Sequence, residues 1–142
     1  MQSSKSKFSN PSDDEIRALL KRVRNIAIVG LSSNPGRPSH GVAASLKDFG
    51  YQVMPVNPSE REVHGERAWH DLASVAEPID LVDVFRRSEH VSGIVDECIR
   101  LKLPAIWLQI GVVDEAAALR AQAAGMTVVM DLCIYREYLR LI

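Results

Sequence analysis

Apolar residues gather along this chain into short continuous runs, and between the runs they recur at intervals of three and four. The runs centre on Ile26-Ala27-Ile28-Val29, Val53-Met54-Pro55-Val56, Leu81-Val82, Ala105-Ile106-Trp107-Leu108 and Val128-Val129. Runs this short, closed by turn residues, mark strands buried on both faces. They predict strands over Asn25–Val29, Gln52–Val56, Asp80–Phe85, Ala105–Leu108 and Thr127–Val129. The spaced pattern predicts helices. Ile16, Leu19, Leu20 and Val23 share one face, and Ser12 with Glu15 three residues on forms a capping box at its start. Val42, Leu46 and Phe49 line a helix over Ser39–Phe49, stopped by Gly50. Val91, Ile94, Val95 and Cys98 line one over Ser88–Leu101, and Asp114–Ala124 forms another that ends at Gly125. A short helix is expected over His70–Val75 and a further one at the C-terminus, while Ser59–Ala68 reads as polar and turn-like.

Five apolar strands separated mainly by helices predict an α/β fold: a doubly wound, five-stranded parallel sheet with helices on both faces. One domain is expected over residues 13–142, behind a frayed polar lead-in at 1–12. Ligands of such sheets bind beyond the C-terminal strand ends, near the switch in strand order. Five loops are thereby singled out: Gly30–His40, Asn57–Arg61, Phe85–Arg87, Gln109–Gly111 and Met130–Cys133.

Composition narrows the function. With 142 residues and 46% hydrophobic content the chain fits one domain with a real core. The formal net charge of −1 supplies no global field for nucleic acid or an acidic membrane, so any anion must meet local positive groups. No apolar run is long enough to cross a bilayer, and the N-terminus lacks a signal-peptide core. Cys98 and Cys133 form neither a disulfide framework nor a zinc spacing, so a cytoplasmic location is expected.

The segment Asn25–His40, NIAIVGLSSNPGRPSH, carries the sharpest chemistry. A buried strand passes through Gly30 and an irregular loop into a helix start at Pro38-Ser39. Free backbone N–H groups and the positive end of a helix dipole then converge on one spot, which suits a phosphorylated ligand. Ser32, Ser33, Ser39 and His40 offer polar groups to a pyrophosphate, and Arg37 a charge-assisted bond. The dinucleotide fingerprint GxGxxG is absent, Ser32 standing where its second glycine belongs. The second strand ends in Asn57-Pro58, with no acid for ribose hydroxyls before Glu60.

In order along the chain, IAIVGLSSNPGRPSHGVAASL, GYQVMPVNP, IDLVDVFRRSE, IWLQIGV and VVMDLC resemble a stand-alone CoA-binding protein. That family is a small Rossmann-like domain related to the CoA-binding domain of the succinyl-CoA synthetase alpha subunit. The resemblance covers about Ile16 to the C-terminus. It implies coenzyme A or an acyl-CoA as ligand, with its pyrophosphate on Gly30–His40, a stretch that includes Pro38. Asn57 and Pro58, with Ser59 and Arg61, would lie by the adenosine and its ribose phosphate. Val84, Phe85 and Arg86 would wall the adenine or the pantetheine arm, and Gln109, Ile110 and Gly111 would line the pantetheine end. A ribose phosphate disfavours an acid at the second strand, where Asn57 and Arg61 offer donors instead. The family has a Cys in an Asp-x-Cys context, here Asp131-Leu132-Cys133, with Leu132 where Arg is common. Cys133 either approaches the CoA thiol, with a mixed disulfide under oxidation, or is a small buried residue.

Other residues read as structural. Arg87 starts a helix on a solvated face, His40 is a polar helix-start residue, and His64 and His70 have no ligand spacing. Trp69 and Trp107 are expected to pack, Cys98 to be inert core, and Asp83 to be a paired group at a strand end. No triad, metal cluster or activated nucleophile stands in register, so a binding module acting as carrier, sensor or regulator is expected before an enzyme. An NAD(P)-dependent oxidoreductase with an irregular loop, and a subunit completing an acyl-CoA ligase in trans, remain as alternatives. A protein partner or a homo-oligomer is compatible with each.

Overall fold

Each apolar run is a strand, and all five pair in parallel into one sheet. The computed structural model describes residues 7–142. In chain order the strands are β1 (Asn25–Val29), β2 (Gln52–Val56), β3 (Glu62–Val63), β4 (Glu66–Arg67), β5 (Leu81–Val84), β6 (Ala105–Leu108) and β7 (Thr127–Met130). The helices are α1 (Asp13–Arg22), α2 (Pro38–Asp48), α3 (Val91–Arg100), α4 (Glu115–Ala123) and α5 (Ile134–Leu141). The main sheet has the order β2-β1-β5-β6-β7. Chain direction across the sheet therefore reverses between β1 and β5. Adjacent crossovers leave on opposite sides there and open a crevice at the C-terminal edge. The fold is a Rossmann-like α/β domain.

Strand alternation divides the core. Ile26, Ile28, Leu81, Ala105, Trp107 and Val129 face α1, α2 and α5 with Ile16, Leu19, Leu46 and Ile134. Ala27, Val29, Val82, Val84, Ile106 and Leu108 face the other side with Val91, Val95, Ala117 and Ala121 of α3 and α4. Each large aliphatic side chain removed from water contributes about 1.5–3 kcal/mol. The α1 face, Ile16, Leu19, Leu20 and Val23, is wholly buried as its spacing predicts.

Several elements differ from their sequence pattern. The segment 59–68 contains an antiparallel hairpin, β3 with β4. Its two-residue turn, His64-Gly65, has φ values of 54° and 77°, the left-handed pair that matches strand twist. The helix expected over His70–Val75 is a single 3-10 turn, Leu72–Ser74, capped by the Asp71 carboxylate. Before α3 the chain takes another 3-10 turn, Ser88–His90. Of the expected lead-in, residues 1–6 lie outside the described residues, while the part beyond is held in place. Asn10 exchanges both side-chain bonds with the Met130 backbone at 2.9 and 2.7 Å, and Phe8 N–H donates to Glu115 at 2.9 Å. The Asn10 contact meets the C-terminal end of β7. At the opposite edge Trp69 bridges to Val56, the C-terminal end of β2.

Candidate functional site

The crevice lies where the topology puts it, at the C-terminal ends of β1 and β5. Gly30 ends β1 with φ of 87°, and a Cβ there would sit 2.5 Å from the Phe85 carbonyl oxygen and 2.8 Å from Arg86 Cδ. Only glycine lets the two strand ends approach this closely. The resulting cleft, about 590 Å³, is lined by Gly30, Ser32, Arg37, Pro38, Ser39, Asn57, Pro58, Phe85 and Arg86 from the sequence expectation. Ser59, Glu60, Arg87 and His90 complete it. The sequence pattern gives Arg87 and His90 no ligand role, and Glu60 stands in it only as a late acid after the second strand. A second cleft of about 410 Å³ shares Asn57, Pro58 and Glu60 and adds Arg61, Arg67, Trp69 and His70. Arg67 lies over the Trp69 ring, 4.2 Å from its centroid.

The backbone amides of the loop are less open than the sequence suggests. Ser32 N–H donates to Ser39 Oγ (3.1 Å), Asn34 N–H to Ser32 Oγ (3.0 Å) and Gly36 N–H to Asn34 Oδ1 (2.9 Å). Serine and asparagine side chains satisfy nearby amides in this way, and they give the loop its shape. Ser33 N–H and its hydroxyl both donate to Glu60 Oε2, at 2.8 and 2.9 Å. What stays open is the start of α2. Its N-cap is Arg37, which makes no side-chain capping bond, and its first turn holds no acidic residue. Pro38 at the first helical position carries no N–H, and Ser39 N–H has no hydrogen-bond partner among the described residues. The positive helix end faces the cleft with Arg37 exposed beside it.

Other expected site residues fall elsewhere. Val84 is fully buried among the α3 and α4 side chains, because alternation turns Val82 and Val84 away from the cleft face; Phe85, the next residue, reaches it. Gln109 is 4% exposed, and its Oε1 accepts from Ile134 N–H at 3.2 Å, which closes the start of α5. Ile110 is 59% exposed, and Gly111 N–H is held by Asp131 Oδ1 at 2.7 Å. Cys133 is the half-buried N-cap of α5. The His40 ring lies against that of His64, tilted by 42° with centroids 4.1 Å apart, and the His40 carbonyl bonds His64 Nε2 at 2.7 Å. Arg61 borders the second cleft alone.

Trp107 packs as expected, wholly buried with its indole N–H on the Leu132 carbonyl at 2.8 Å. Cys98 is core, and burial, with the Glu97 charge as a lesser cause, pushes its thiol up to about 12. Asp83 contradicts expectation. It is wholly buried in the central strand, and neither carboxylate oxygen has a partner among the described residues. Burial holds its carboxyl well above the ordinary range, so the neutral acid is the form the core favours. Among the described residues no cluster of three or more His, Cys, Asp or Glu side chains is placed to hold a metal ion. Among the same residues no helix is long and apolar enough to cross a membrane.

Known proteins share this arrangement. The chain is 45% identical over 127 residues to the uncharacterized protein YneT of Bacillus subtilis, covering 89% of this chain and 94% of that one. A hypothetical protein from Pyrococcus horikoshii has a solved structure with a TM-score of 0.90, 30% identity and 99% of both chains covered. An ADP-forming acetate–CoA ligase of Methanocaldococcus jannaschii is 28% identical over 75 residues, which are 53% of this chain and 11% of the ligase. Residues 24–138 match the CoA binding domain family, a span that takes in every strand of the sheet and both clefts, and the chain belongs to that family.

Proposed function

We propose that this protein binds coenzyme A or an acyl-CoA at the crevice between β1 and β5, as a binding module acting as carrier, sensor or regulator. The observation that carries this reading is the uncapped start of α2, opening onto a cleft that also receives Arg37, Arg86 and Arg87. An uncapped helix start beside guanidinium groups stabilises a diphosphate by main-chain donors, dipole and charge together. The second cleft continues the first past Asn57 and Pro58, and Arg61 and Arg67 there suit the ribose phosphate of the adenosine end. Phe85 and Arg86 wall the adenine or the pantetheine arm. The pantetheine arm then runs along the strand ends toward Ile110, Gly111 and Cys133. Family membership supports CoA over a nicotinamide dinucleotide, as does the absent GxGxxG.

Titration calorimetry with CoA, NADH and NADPH tests the assignment. Heat and a raised melting temperature are expected with CoA alone. A response to a nicotinamide cofactor in its place would transfer the site to the oxidoreductase reading. The match to an acetate–CoA ligase favours a second role, completion of an acyl-CoA ligase in trans. Co-purification with a nucleotide-grasp subunit would support that role.

A further inference from the structure

The second cleft holds a cation that no acid engages. Arg67 ends β4, and its guanidinium carbon lies 4.2 Å from the centroid of the Trp69 ring. Glu62 stands directly across from it in the hairpin, where opposite charges attract, yet Arg67 makes no ion pair among the described residues. The acid lining the same cleft, Glu60, is turned to Ser33. The ring beneath Arg67 is fixed. Trp69 N–H donates to the Pro55 carbonyl at 2.8 Å, and the Trp69 carbonyl accepts from Asn57 N–H at 2.9 Å, so the residue is tied to the end of β2. The hairpin is held on its other side by α2. Lys47 Nζ donates to the His64 carbonyl at 2.8 Å and to Glu66 at 2.9 Å, and His64 Nε2 meets the His40 carbonyl at 2.7 Å. Arg67 thus sits between two anchored neighbours, Glu66 and Trp69, with its guanidinium over a flat ring. A guanidinium held over an aromatic face keeps its N–H edges for a partner and loses little freedom when one arrives.

We infer that Arg67, mounted on Trp69, is the residue that reads the ribose phosphate of the ligand and so distinguishes CoA from dephospho-CoA. This rests on the CoA reading above and deepens it. Coenzyme A carries a diphosphate and a separate phosphomonoester on one ribose. The two clefts share Asn57, Pro58 and Glu60, so a ribose seated at that common wall can send its diphosphate toward α2 and its monoester toward Arg67. A planar fork meets two oxygens of such a phosphate at once, which a point charge does not. Arg61 borders the same cleft, but among the described residues no aromatic ring lies beneath it, so ordering it costs more freedom. The Arg67 contact exists only with the phosphorylated ribose, and it therefore appears in full in the ratio of the two affinities. Arg67 is the specificity-determining residue, and Trp69 is a positioning residue.

The test is calorimetry with CoA and with dephospho-CoA on wild type, Arg67→Gln, Arg67→Lys and Arg61→Gln, alongside a thermal melt. Wild type is expected to bind CoA more tightly than dephospho-CoA. Arg67→Gln should weaken CoA about tenfold and leave dephospho-CoA where it was. Its melting temperature should match wild type, since the side chain is exposed. Arg67→Lys should restore only part of the preference, because it keeps the charge without the fork. Arg61→Gln should narrow the preference less than Arg67→Gln does. An unchanged preference in Arg67→Gln, or an equal loss for both ligands, would overturn the inference and leave the CoA reading standing. So would full rescue by lysine, or a larger effect at Arg61. Absence of CoA heat in wild type would remove the CoA reading itself, and this inference with it. Trp69→Leu supplies an independent readout. With Arg67 intact but its ring gone, the preference for CoA should narrow, and Trp69→Phe, which keeps a ring face, should recover it. If the preference in Trp69→Leu equals that of wild type, the ring does not position Arg67 and the inference fails.

Discussion

Two helices of this molecule begin in opposite ways. α1 is complete in itself: Ser12 Oγ accepts from Glu15 N–H at 3.2 Å, Glu15 Oε1 accepts from Ser12 N–H at 2.9 Å, and Asp13, Asp14 and Glu15 set three negative charges in its first turn. α2 begins with a cation at the N-cap, a proline after it, no side-chain cap and no acid in the first turn. Charges near a helix start are each worth about 0.3–1 kcal/mol, so the α2 sequence forgoes stability that α1 collects. The difference teaches that α2 leaves its first donors to a group outside the helix, the place our proposal gives to the ligand phosphates. The acid that lines the same cleft, Glu60, comes from another loop and binds Ser33.

The largest expected effect comes from breaking the α2 side outright. Gly30→Ala places a methyl against the Phe85 carbonyl oxygen at a left-handed φ, and should cost about 2–4 kcal/mol of stability in urea denaturation. A midpoint equal to wild type would mean that the strand ends need no such close approach. Next, Arg37→Ala should weaken CoA binding tenfold to a hundredfold, about 1.5–3 kcal/mol, and leave the urea midpoint in place, since Arg37 is exposed and buries no core. Unchanged affinity would make Arg37 a solvated surface residue. Ser12→Ala should do the reverse at α1: about 1 kcal/mol of lost stability with CoA affinity unaltered.

The smallest effect is in acid. The Glu15 carboxyl is held below its ordinary value of 4.5, first by the bond from the Ser12 backbone and then by the Ser12 side chain. The folded chain therefore holds this proton less tightly than the unfolded chain. The cap's contribution is whole above the ordinary value and fades as pH falls through the lower folded one. Melting curves of wild type and Glu15→Gln should converge as pH falls below that ordinary value. A gap independent of pH would assign the α1 start to packing alone.

The strands and the α1 face were legible because burial on both sides leaves nothing polar in a run, and because one spacing fits only one helix face. The Gly30 turn was legible for the same reason, as a glycine ending such a run. The hairpin at His64-Gly65 was not, since histidine replaces the asparagine or aspartate that usually announces a left-handed pair. The family resemblance assigns Val84 and Gln109 to the ligand. The pleat turns the first into the α3–α4 core, and the second is drawn inward by an unpaired amide of α5. No local pattern announces that Asp83 lacks a partner. The Ser33–Glu60 bond joins residues that only the β1–β2 pairing brings together.

The two tryptophans occupy contrasting surroundings, one sealed in the sheet and the other half-buried at the rim of the second cleft beneath a guanidinium. Trp107 fluorescence should stay blue-shifted until the chain denatures, while Trp69 emission should respond when a nucleotide enters beside it. One unlabelled sample thus carries two optical reporters, which distinguish occupancy from unfolding in a single titration.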